Sequence, residues 1–204
     1  MTTGTVKLTF DEATHTYRLG EVIVPSVTQV LSTIGLYKGK AFMTPEHAER
    51  GTRVHFLTEL HDLGFSDDVQ HMLNLYPHIA GYHKAYVKFL KESGFKPSLI
   101  EKRIYSLTHM YAGTLDRVGN FNGDPHILDI KSGVLQESDA IQTAGYSIAL
   151  SEMEGIKNIY NRCALYLKQD GRYKLIRHIR IQDKAVFLQA IDKYNRQHPS
   201  TPHA

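Results

Sequence analysis

The chain of 204 residues carries 24 lysines and arginines against 21 aspartates and glutamates, which gives a formal net charge of +3. Its hydrophobic fraction of 42% and its charged fraction of 22% are ordinary for a globular protein and exclude an intrinsically disordered chain. The small cationic excess is compatible with a polyanionic partner, but it falls short of what a dedicated DNA-coating protein carries.

Cysteine usage and hydropathy restrict the cellular setting. The single cysteine, Cys163, excludes an internal disulfide and any all-cysteine metal site or iron–sulfur cluster within one chain. No stretch approaches the roughly 20 apolar residues of a membrane-spanning helix, and residues 1–10 lack the pattern of a secretory signal. We therefore expect a cytoplasmic protein of a reducing compartment that does not bind membranes.

The N-terminal residues predict a small β/α layer. Three short runs, two of them alternating, are typical of strands. A helix then begins at Ser26, because Ser26 and Gln29 have the spacing of a capping box. We expect residues 1–40 to form an accessory layer outside the main fold. The predicted elements are strands at residues 6–10, 15–19 and 21–24 and a helix at residues 26–34.

A second set of elements begins at Thr44. A capping threonine, a proline in the first turn and an acidic residue predict a helix from Thr44 that ends at Gly64. Asn122-Gly123 and Asp170-Gly171 are typical hairpin turns. The further predicted elements are a helix at 78–91, strands at 98–107, 110–118 and 126–131, a helix at 137–153, strands at 158–167 and 173–180, and a helix at 183–196.

The order of these elements predicts an α/β fold. Three strands form a meander between helices, and a further helix crosses to the last two strands, which favours a central mixed sheet flanked by helices. We predict a single domain over residues 1–204 whose core, residues 44–180, has the order αβββαβ. Residues 181–204 add a C-terminal helix and a tail.

Two aspartates and a lysine on neighbouring strands are the candidate catalytic centre. Asp129 and Lys131 are two residues apart on a strand, so both face one side while Ile130 points into the core. Asp116 lies on the preceding strand of the hairpin, and the two carboxylates can converge. Hard divalent cations prefer oxygen ligands, so both carboxylates and the Ile130 carbonyl form a candidate metal site. The alternative is a plain surface ion pair between Asp129 and Lys131.

Five short motifs surround this centre in a fixed order. They are Gly51-Thr52-x-x-His55, Glu101, Gly113-x-x-Asp116, Asp129-x-Lys131 and Gln142-x-x-x-Tyr146. In this order the chain resembles the PD-(D/E)XK nuclease superfamily, and within it the RecB-like exonuclease branch of phage type. The resemblance spans about residues 51–146. Leu115 replaces the literal proline before Asp116, and the chain lacks the four cysteines that hold an iron–sulfur cluster in some relatives.

The resemblance implies a restriction-endonuclease-like fold and a metal site. His55, Asp116, Asp129 and the Ile130 carbonyl would bind one or two Mg²⁺ or Mn²⁺ ions. Lys131 would be the catalytic lysine, placed to orient the nucleophile or to balance charge in the transition state. His55 owes its assignment to the Gly-Thr that precedes it, since a lone helical histidine is more often structural.

The remaining candidate residues fall into a catalytic and a substrate-binding set. Glu101 matches the first-strand glutamate, which acts on a metal directly or through water, although an exposed charged edge is the alternative. Gln142 and Tyr146 would orient the site or the DNA strand. Arg50 and Arg53 are expected to bind the DNA backbone beside the His55 helix.

Other side chains are weaker candidates for the same roles. Lys38 and Lys40 are additional phosphate contacts, and Arg117 is a third, although its alternation places it on the opposite face of the sheet from Asp116. Tyr105 and Tyr111 are candidates for stacking on the bases of a single strand.

The implied activity is a metal-dependent DNA exonuclease that hydrolyses phosphodiester bonds through a metal-activated water. Single strands or duplex ends are its expected substrates, and recombination, repair or phage DNA metabolism its expected setting, with a homo-oligomer or a recombination protein as partner. Three alternatives stay open at this point. They are a structure-selective endonuclease, a non-catalytic DNA-binding or assembly subunit that retains the fold, and a nuclease acting on RNA.

Overall fold

Three short strands and a helix build the N-terminal layer, as predicted. The capping box is confirmed, because Ser26 Oγ accepts the Gln29 N–H at 3.1 Å and Gln29 Oε1 accepts the Ser26 N–H at 2.7 Å. The computed structural model describes residues 6–36, 44–156 and 160–199. The elements of this layer are β1 (Leu8–Asp11), β2 (Thr16–Leu19), β3 (Val22–Val24) and α1 (Val27–Thr33), and the strands pair antiparallel in chain order.

Three helices follow, of which the first begins as its sequence predicts. Thr44 Oγ1 accepts the His47 N–H at 3.3 Å, and Pro45 occupies the first turn. The second helix has no counterpart among the predicted elements: no side chain caps its start at Phe65, so the usual signal for a helix start is missing. The helices are α2 (Pro45–Asp62), α3 (Ser66–Leu75) and α4 (Ala80–Ser93).

A five-stranded mixed sheet forms the centre of the main fold. Its strands, in spatial as well as chain order, are β4 (Lys96–Ser106), β5 (Tyr111–Phe121), β6 (Asp124–Lys131), β7 (Asn161–Leu167) and β8 (Tyr173–Arg177). Only β6 and β7 run parallel, because α5 (Ser138–Met153) crosses between them. Asn122 and Gly123 have φ of 52° and 101°, the positive values that a two-residue hairpin turn of type I′ requires.

Helices cover both faces of this sheet. Adjacent residues of β6 point to opposite faces: Ile127 belongs to the cluster formed with α1, α5 and α6 (Gln182–Gln197), and Leu128 to the cluster formed with α2 and α4. Both residues are fully buried. A parallel strand pair covered on both faces accounts for the apolar character of β6 and β7.

The predicted α/β class with its αβββαβ core order is therefore confirmed, together with the small N-terminal β/α extension. The element boundaries differ from the predicted ones by a few residues, as at β8, which ends at Arg177 rather than at Arg180. The predicted start of β7 at Asn158 lies outside the described residues, as does the end of the C-terminal tail. Among the described helices, none is both long and apolar enough to cross a membrane.

Candidate metal centre and catalytic site

The central sheet opens around Asp116. Pairing between β5 and β6 extends only from Phe121 to Arg117 on β5, so it stops just short of Asp116. Beyond this pair, the side chain of Asp116 rather than its backbone connects β5 to β6: its Oδ2 accepts the N–H of Ile130 at 2.5 Å. On the other side of Asp116, Glu101 of β4 has a φ of 45°, a left-handed conformation that is unusual for a glutamate. Such local departures from regular geometry are typical of functional sites.

Three ligand-type side chains meet at this opening. His55 Nδ1 lies 3.6 Å from Asp116 Oδ2 and 3.9 Å from Glu101 Oε1. One ligand atom from each of the three residues can be chosen so that all lie within 4.8 Å of one another. We call these three residues the metal cluster, because two carboxylates and an imidazole at this spacing match the donor set of a divalent cation.

Helix α2 brings His55 to the sheet. Residues at positions i, i+4 and i+7 share one helix face, so His55, Glu59 and Asp62 all lie on the side that meets β4 and β5. Gly51 lies one turn before His55, and a Cβ added there would come to 4.0 Å from Ser132 Oγ, just past the end of β6. This face of α2 therefore packs beside the end of β6, next to the strands that carry the catalytic motifs.

Burial and mutual attraction set the protonation of the metal cluster. Burial disfavours the charged form of His55, but the neighbouring Asp116 and Glu101 outweigh it and raise the His55 pKa to about 9. Burial raises the pKa of Asp116, although the His55 charge opposes this shift. Burial also acts to raise the pKa of Glu101, but contacts with His55 and Arg117 lower it overall. Without a metal, a proton on His55 provides the positive charge that the two carboxylates need.

Asp129 and Lys131 form a second group beside the metal cluster. They project together from β6, as predicted, while Ile130 between them is fully buried. Lys131 Nζ lies 2.8 Å from Asp129 Oδ2 and donates to Gln142 Oε1 at 3.1 Å. Its side chain is 23% exposed, whereas that of Asp129 is 1% exposed, so the pair lies at the inner end of the site.

The two oxygens of the buried Asp129 carboxylate have different neighbours. Its Oδ1 accepts from Gln142 Nε2 at 3.2 Å, and its Oδ2 lies 2.8 Å from the Lys131 ammonium, its ion-pair partner. Burial raises the pKa of Asp129 to about 7 despite the attraction of Lys131. A buried carboxylate that already has a cation as its neighbour is an oxygen donor of the kind that hard divalent cations prefer.

A polar network from α5 holds this second group in place. Gln142 Nε2 donates to the Tyr146 hydroxyl at 2.9 Å, so Tyr146 fixes the amide that contacts both Asp129 and Lys131. Tyr146 is 5% exposed. Asp139, one turn before Gln142, lies 3.9 Å from Lys131 Nζ and accepts a hydrogen bond from the Tyr166 hydroxyl. Lys131 therefore faces Asp129 and Asp139, and its pKa is raised because these carboxylates outweigh the effect of burial.

The prediction that Arg117 contacts phosphate is wrong. Its side chain is fully buried and its guanidinium is taken up by protein groups: Nε donates to Asp62 Oδ2 at 2.5 Å, Nη1 to Glu101 Oε1 at 2.8 Å and Nη2 to Thr58 Oγ1 at 3.2 Å. The Tyr86 hydroxyl donates to the same Asp62 oxygen at 2.6 Å. Arg117 lies on the side of β5 that α2 covers, where it contacts Glu101 of the metal cluster from behind.

The predicted substrate-binding arginines lie further out on α2. Arg53 stacks on Tyr76 with its guanidinium carbon 3.8 Å from the ring centroid and pairs with Glu49. Arg50 lies over Tyr82 at 5.9 Å. Lys38 and Lys40 lie outside the described residues.

Two tyrosines proposed for base stacking have different surroundings. Tyr111 is fully buried, and its hydroxyl donates to the Gly145 carbonyl at 2.7 Å, so the prediction that it stacks on bases is wrong. Tyr105 is half-buried and packs against the N-terminal layer.

The sequence-predicted residues thus meet in two adjoining groups. Glu101 joins the metal cluster, where sequence analysis gave it only a conditional role, while Asp129 and the Ile130 carbonyl belong to the neighbouring Lys131 group. Sequence analysis missed Asp62 and Asp139. Helical spacing carries a signal for both, because Asp62 is seven residues after His55 and Asp139 is three residues before Gln142.

Comparison with known proteins gives a faint structural similarity. No protein-family model matches the chain, and no curated protein sequence matches it. The crystal structure of SSO0001 is similar with a TM-score of 0.36 and 16% identity, over 73% of this chain and 72% of that one. The crystal structure of the "Putative exonuclease" from Eubacterium rectale is similar with a TM-score of 0.45 and 9% identity. That similarity covers 71% of this chain and 65% of the other. Similarity at this level carries no information on activity.

Proposed function

We propose that the protein is a metal-dependent DNA exonuclease of the PD-(D/E)XK superfamily, RecB-like branch. The observation that supports this proposal is the metal cluster of His55, Glu101 and Asp116, which lies beside the buried Asp129–Lys131 pair. Two carboxylates and an imidazole fit Mg²⁺ or Mn²⁺, and the neighbouring Asp129 carboxylate would add a further oxygen donor. A divalent ion held here supplies Lewis-acid chemistry for phosphodiester hydrolysis.

The residues around the metal cluster then have separable tasks. Lys131 presents a permanent positive charge, because Asp129 and Asp139 keep it protonated. That charge would stabilise the negative charge that grows on a scissile phosphate bound beside the metal cluster, and the hydrogen bond to Gln142 would hold it in place during the reaction. As a protonated ammonium, Lys131 acts by hydrogen bonding and charge rather than as a general base.

The experiment that tests this function compares substrates and metals. Purified protein is incubated with linear and circular DNA, single- and double-stranded, with Mg²⁺, Mn²⁺ or a chelator, beside the Lys131→Ala variant. Loss of linear DNA alone, dependent on metal and absent in the variant, is the expected result. Cutting of circles would make the enzyme an endonuclease. Binding of DNA without any cleavage would overturn the enzymatic proposal in favour of a DNA-binding subunit.

A further inference from the structure

An open cleft of about 520 Å³ adjoins the metal cluster on the side of the N-terminal layer. It is lined by Phe10 and Glu12 of the N-terminal layer, Glu59 of α2, Glu101, Lys102 and Arg103 of β4, and Thr114 of β5. Glu101 belongs both to this lining and to the metal cluster. The cleft therefore leads directly to the site where the reaction is proposed to occur.

The N-terminal layer is fixed as one wall of this cleft. The Tyr17 hydroxyl lies 2.8 Å from Thr114 Oγ1, two residues before Asp116 on β5. The N–H of Ala112 donates to the carbonyl of Pro25 at 3.0 Å, and Ser26 forms a β-bridge with Ala112. The layer is thus tied to the strand that carries a metal-cluster residue, which gives a structural reason for its position.

Phe10 and Arg103 of the cleft lining pack on each other, and Phe10 also packs on the buried Tyr17 beneath it. Phe10 packs on Tyr17 with ring centroids 4.4 Å apart, and the Arg103 guanidinium carbon lies 5.0 Å from the Phe10 centroid. The Arg103 side chain remains 48% exposed. A guanidinium placed on an aromatic ring offers a stacking surface for a base together with donors for a phosphate.

We propose that this cleft holds one single-stranded segment of DNA and guides its end to the metal cluster. Phe10 and Arg103 form the stacking platform, and Lys102 and Arg103 contact the phosphates. The volume of about 520 Å³ falls in the range of sites that hold a small ligand and is enough for one or two nucleotide groups. Three carboxylates also line the cleft: Glu12 is paired with Arg103 at 3.4 Å, Glu101 with Arg117 at 2.8 Å, and Glu59 lies one helical turn after His55 of the metal cluster. This inference rests on the proposed nuclease function, whose substrate form it specifies.

Binding of labelled oligonucleotides tests the cleft separately from catalysis. Anisotropy is measured with a fluorescent single-stranded oligo(dT) in Mg²⁺, in an Asp129→Asn background so that the strand stays intact. We expect Phe10→Ala and Arg103→Ala each to weaken binding about tenfold, and a blunt duplex to bind about tenfold more weakly than the single strand. The matched control is Arg18→Ala, because Arg18 is an exposed arginine of the same layer that lines a different cavity.

Further variants exclude a purely structural effect. Phe10→Leu keeps an apolar side chain but loses the stacking face, so it should weaken binding as Phe10→Ala does, with an unchanged melting temperature. Glu12→Gln removes the ion-pair partner of Arg103 but keeps its cation, and binding should be no weaker. If Glu12→Gln weakens binding as much as Arg103→Ala, Arg103 acts by holding the layer and the proposal is wrong.

The outcomes for the cleft and for the nuclease function are distinguishable. Unchanged binding in Phe10→Ala and Arg103→Ala overturns the cleft proposal, even if the protein with Asp129 intact cleaves DNA. Weakened binding in both variants supports it, even if the protein cleaves nothing, in which case the proposed nuclease function fails alone. The same losses with oligo(rU) but no binding of oligo(dT) would overturn the assignment of the strand to DNA.

Discussion

Arg117 Nη1 lies 2.8 Å from Glu101 Oε1, which makes a fully buried arginine the partner of a metal-cluster carboxylate. The same guanidinium binds Asp62 of α2 at 2.5 Å. It thereby connects the helix that delivers His55 to the strand that delivers Glu101. Because Arg117 makes hydrogen bonds on all three of its nitrogens, it fixes the direction of the Glu101 carboxylate relative to His55.

Replacement of Arg117 should therefore affect both stability and metal binding. Arg117→Met leaves the buried Asp62 carboxylate without a cation and leaves Glu101 with His55 alone, so we expect a loss of about 3–5 kcal/mol in the free energy of unfolding. The metal concentration needed for half-maximal activity should also rise. Asp62→Asn is the matched control: it should cost stability but leave the Glu101 contact and the metal requirement in place. Denaturant unfolding measures the loss of stability, and a metal titration of activity measures the metal requirement. An unchanged metal requirement in Arg117→Met would show that Arg117 does not position Glu101 for metal binding.

Asp116 has two roles that different substitutions separate. Its carboxylate belongs to the metal cluster, and its Oδ2 accepts the Ile130 N–H in place of a ladder bond. Asp116→Asn keeps a hydrogen-bond acceptor and should fold normally, whereas Asp116→Ala leaves a buried N–H unsatisfied and should be less stable by about 1–3 kcal/mol. Both should abolish cleavage. Mg²⁺ or Mn²⁺ should raise the melting temperature of the unsubstituted protein but not that of Asp116→Asn, and an equal rise in both would show that the ion binds elsewhere.

Lys131 is expected to act on the rate rather than on metal binding. Lys131→Ala should lower the rate of cleavage by about 100-fold or more, since a preorganised charge beside the reacting phosphate is lost. Its metal titration should be nearly unchanged, because the metal cluster does not include Lys131. Lys168→Ala is a suitable control, as Lys168 is an exposed lysine 3.5 Å from the Gly133 carbonyl. A normal rate in Lys131→Ala would exclude Lys131 from the mechanism.

Much of this site follows from periodicity and spacing. Alternation on β6 placed Asp129 and Lys131 on one face and Ile130 in the core, and the helix period placed Gln142 and Tyr146 together on α5. These are local relations, and they hold because strand and helix geometry fixes them without reference to the rest of the fold.

The parts that sequence analysis could not supply depend on long-range contacts. The partners of Arg117 come from α2 and β4, 55 and 16 residues away along the chain, and no local pattern encodes them. The place of Glu101 in the metal cluster depends on a left-handed backbone that a glutamate rarely adopts. Helix α3 was missed because its packing, rather than a capping side chain, defines its start.

We predict that the protein is less stable to unfolding in acid, because two of its histidines are partly buried. The pKa of His83 is lowered to about 4 by burial and by the neighbouring His61, and that of His178 is lowered to about 4 by burial and by Arg162. Between pH 6.5 and 4 the unfolded chain binds protons that the folded chain does not, so stability is fully present above pH 6.5 and falls as the pH decreases through this window. His178→Gln should reduce the fall in melting temperature between pH 7 and 5. The exposed His15→Gln serves as control, and an identical pH dependence in both variants would contradict the assignment.

Asp139 is a positioning residue for the catalytic lysine. It accepts from the Tyr166 hydroxyl and, at 3.1 Å, from the Gln136 N–H, and its other oxygen lies 3.9 Å from Lys131 Nζ. Asp139→Asn removes one of the two carboxylates that keep Lys131 charged, so the pKa of Lys131 should decrease and the alkaline limb of the pH–rate profile should move to lower pH.

Rates across alkaline pH separate this role from a structural one. Tyr166→Phe keeps the Asp139 charge and removes only its hydrogen bond, so its alkaline limb should stay close to that of the unsubstituted protein. A fall in rate that is uniform with pH in Asp139→Asn, with no movement of the limb, would mean that Asp139 merely fixes the turn at Gln136 before α5. A displaced limb in Asp139→Asn alone would show that its charge acts on Lys131, because Lys131 is the cation that Asp139 faces across the site.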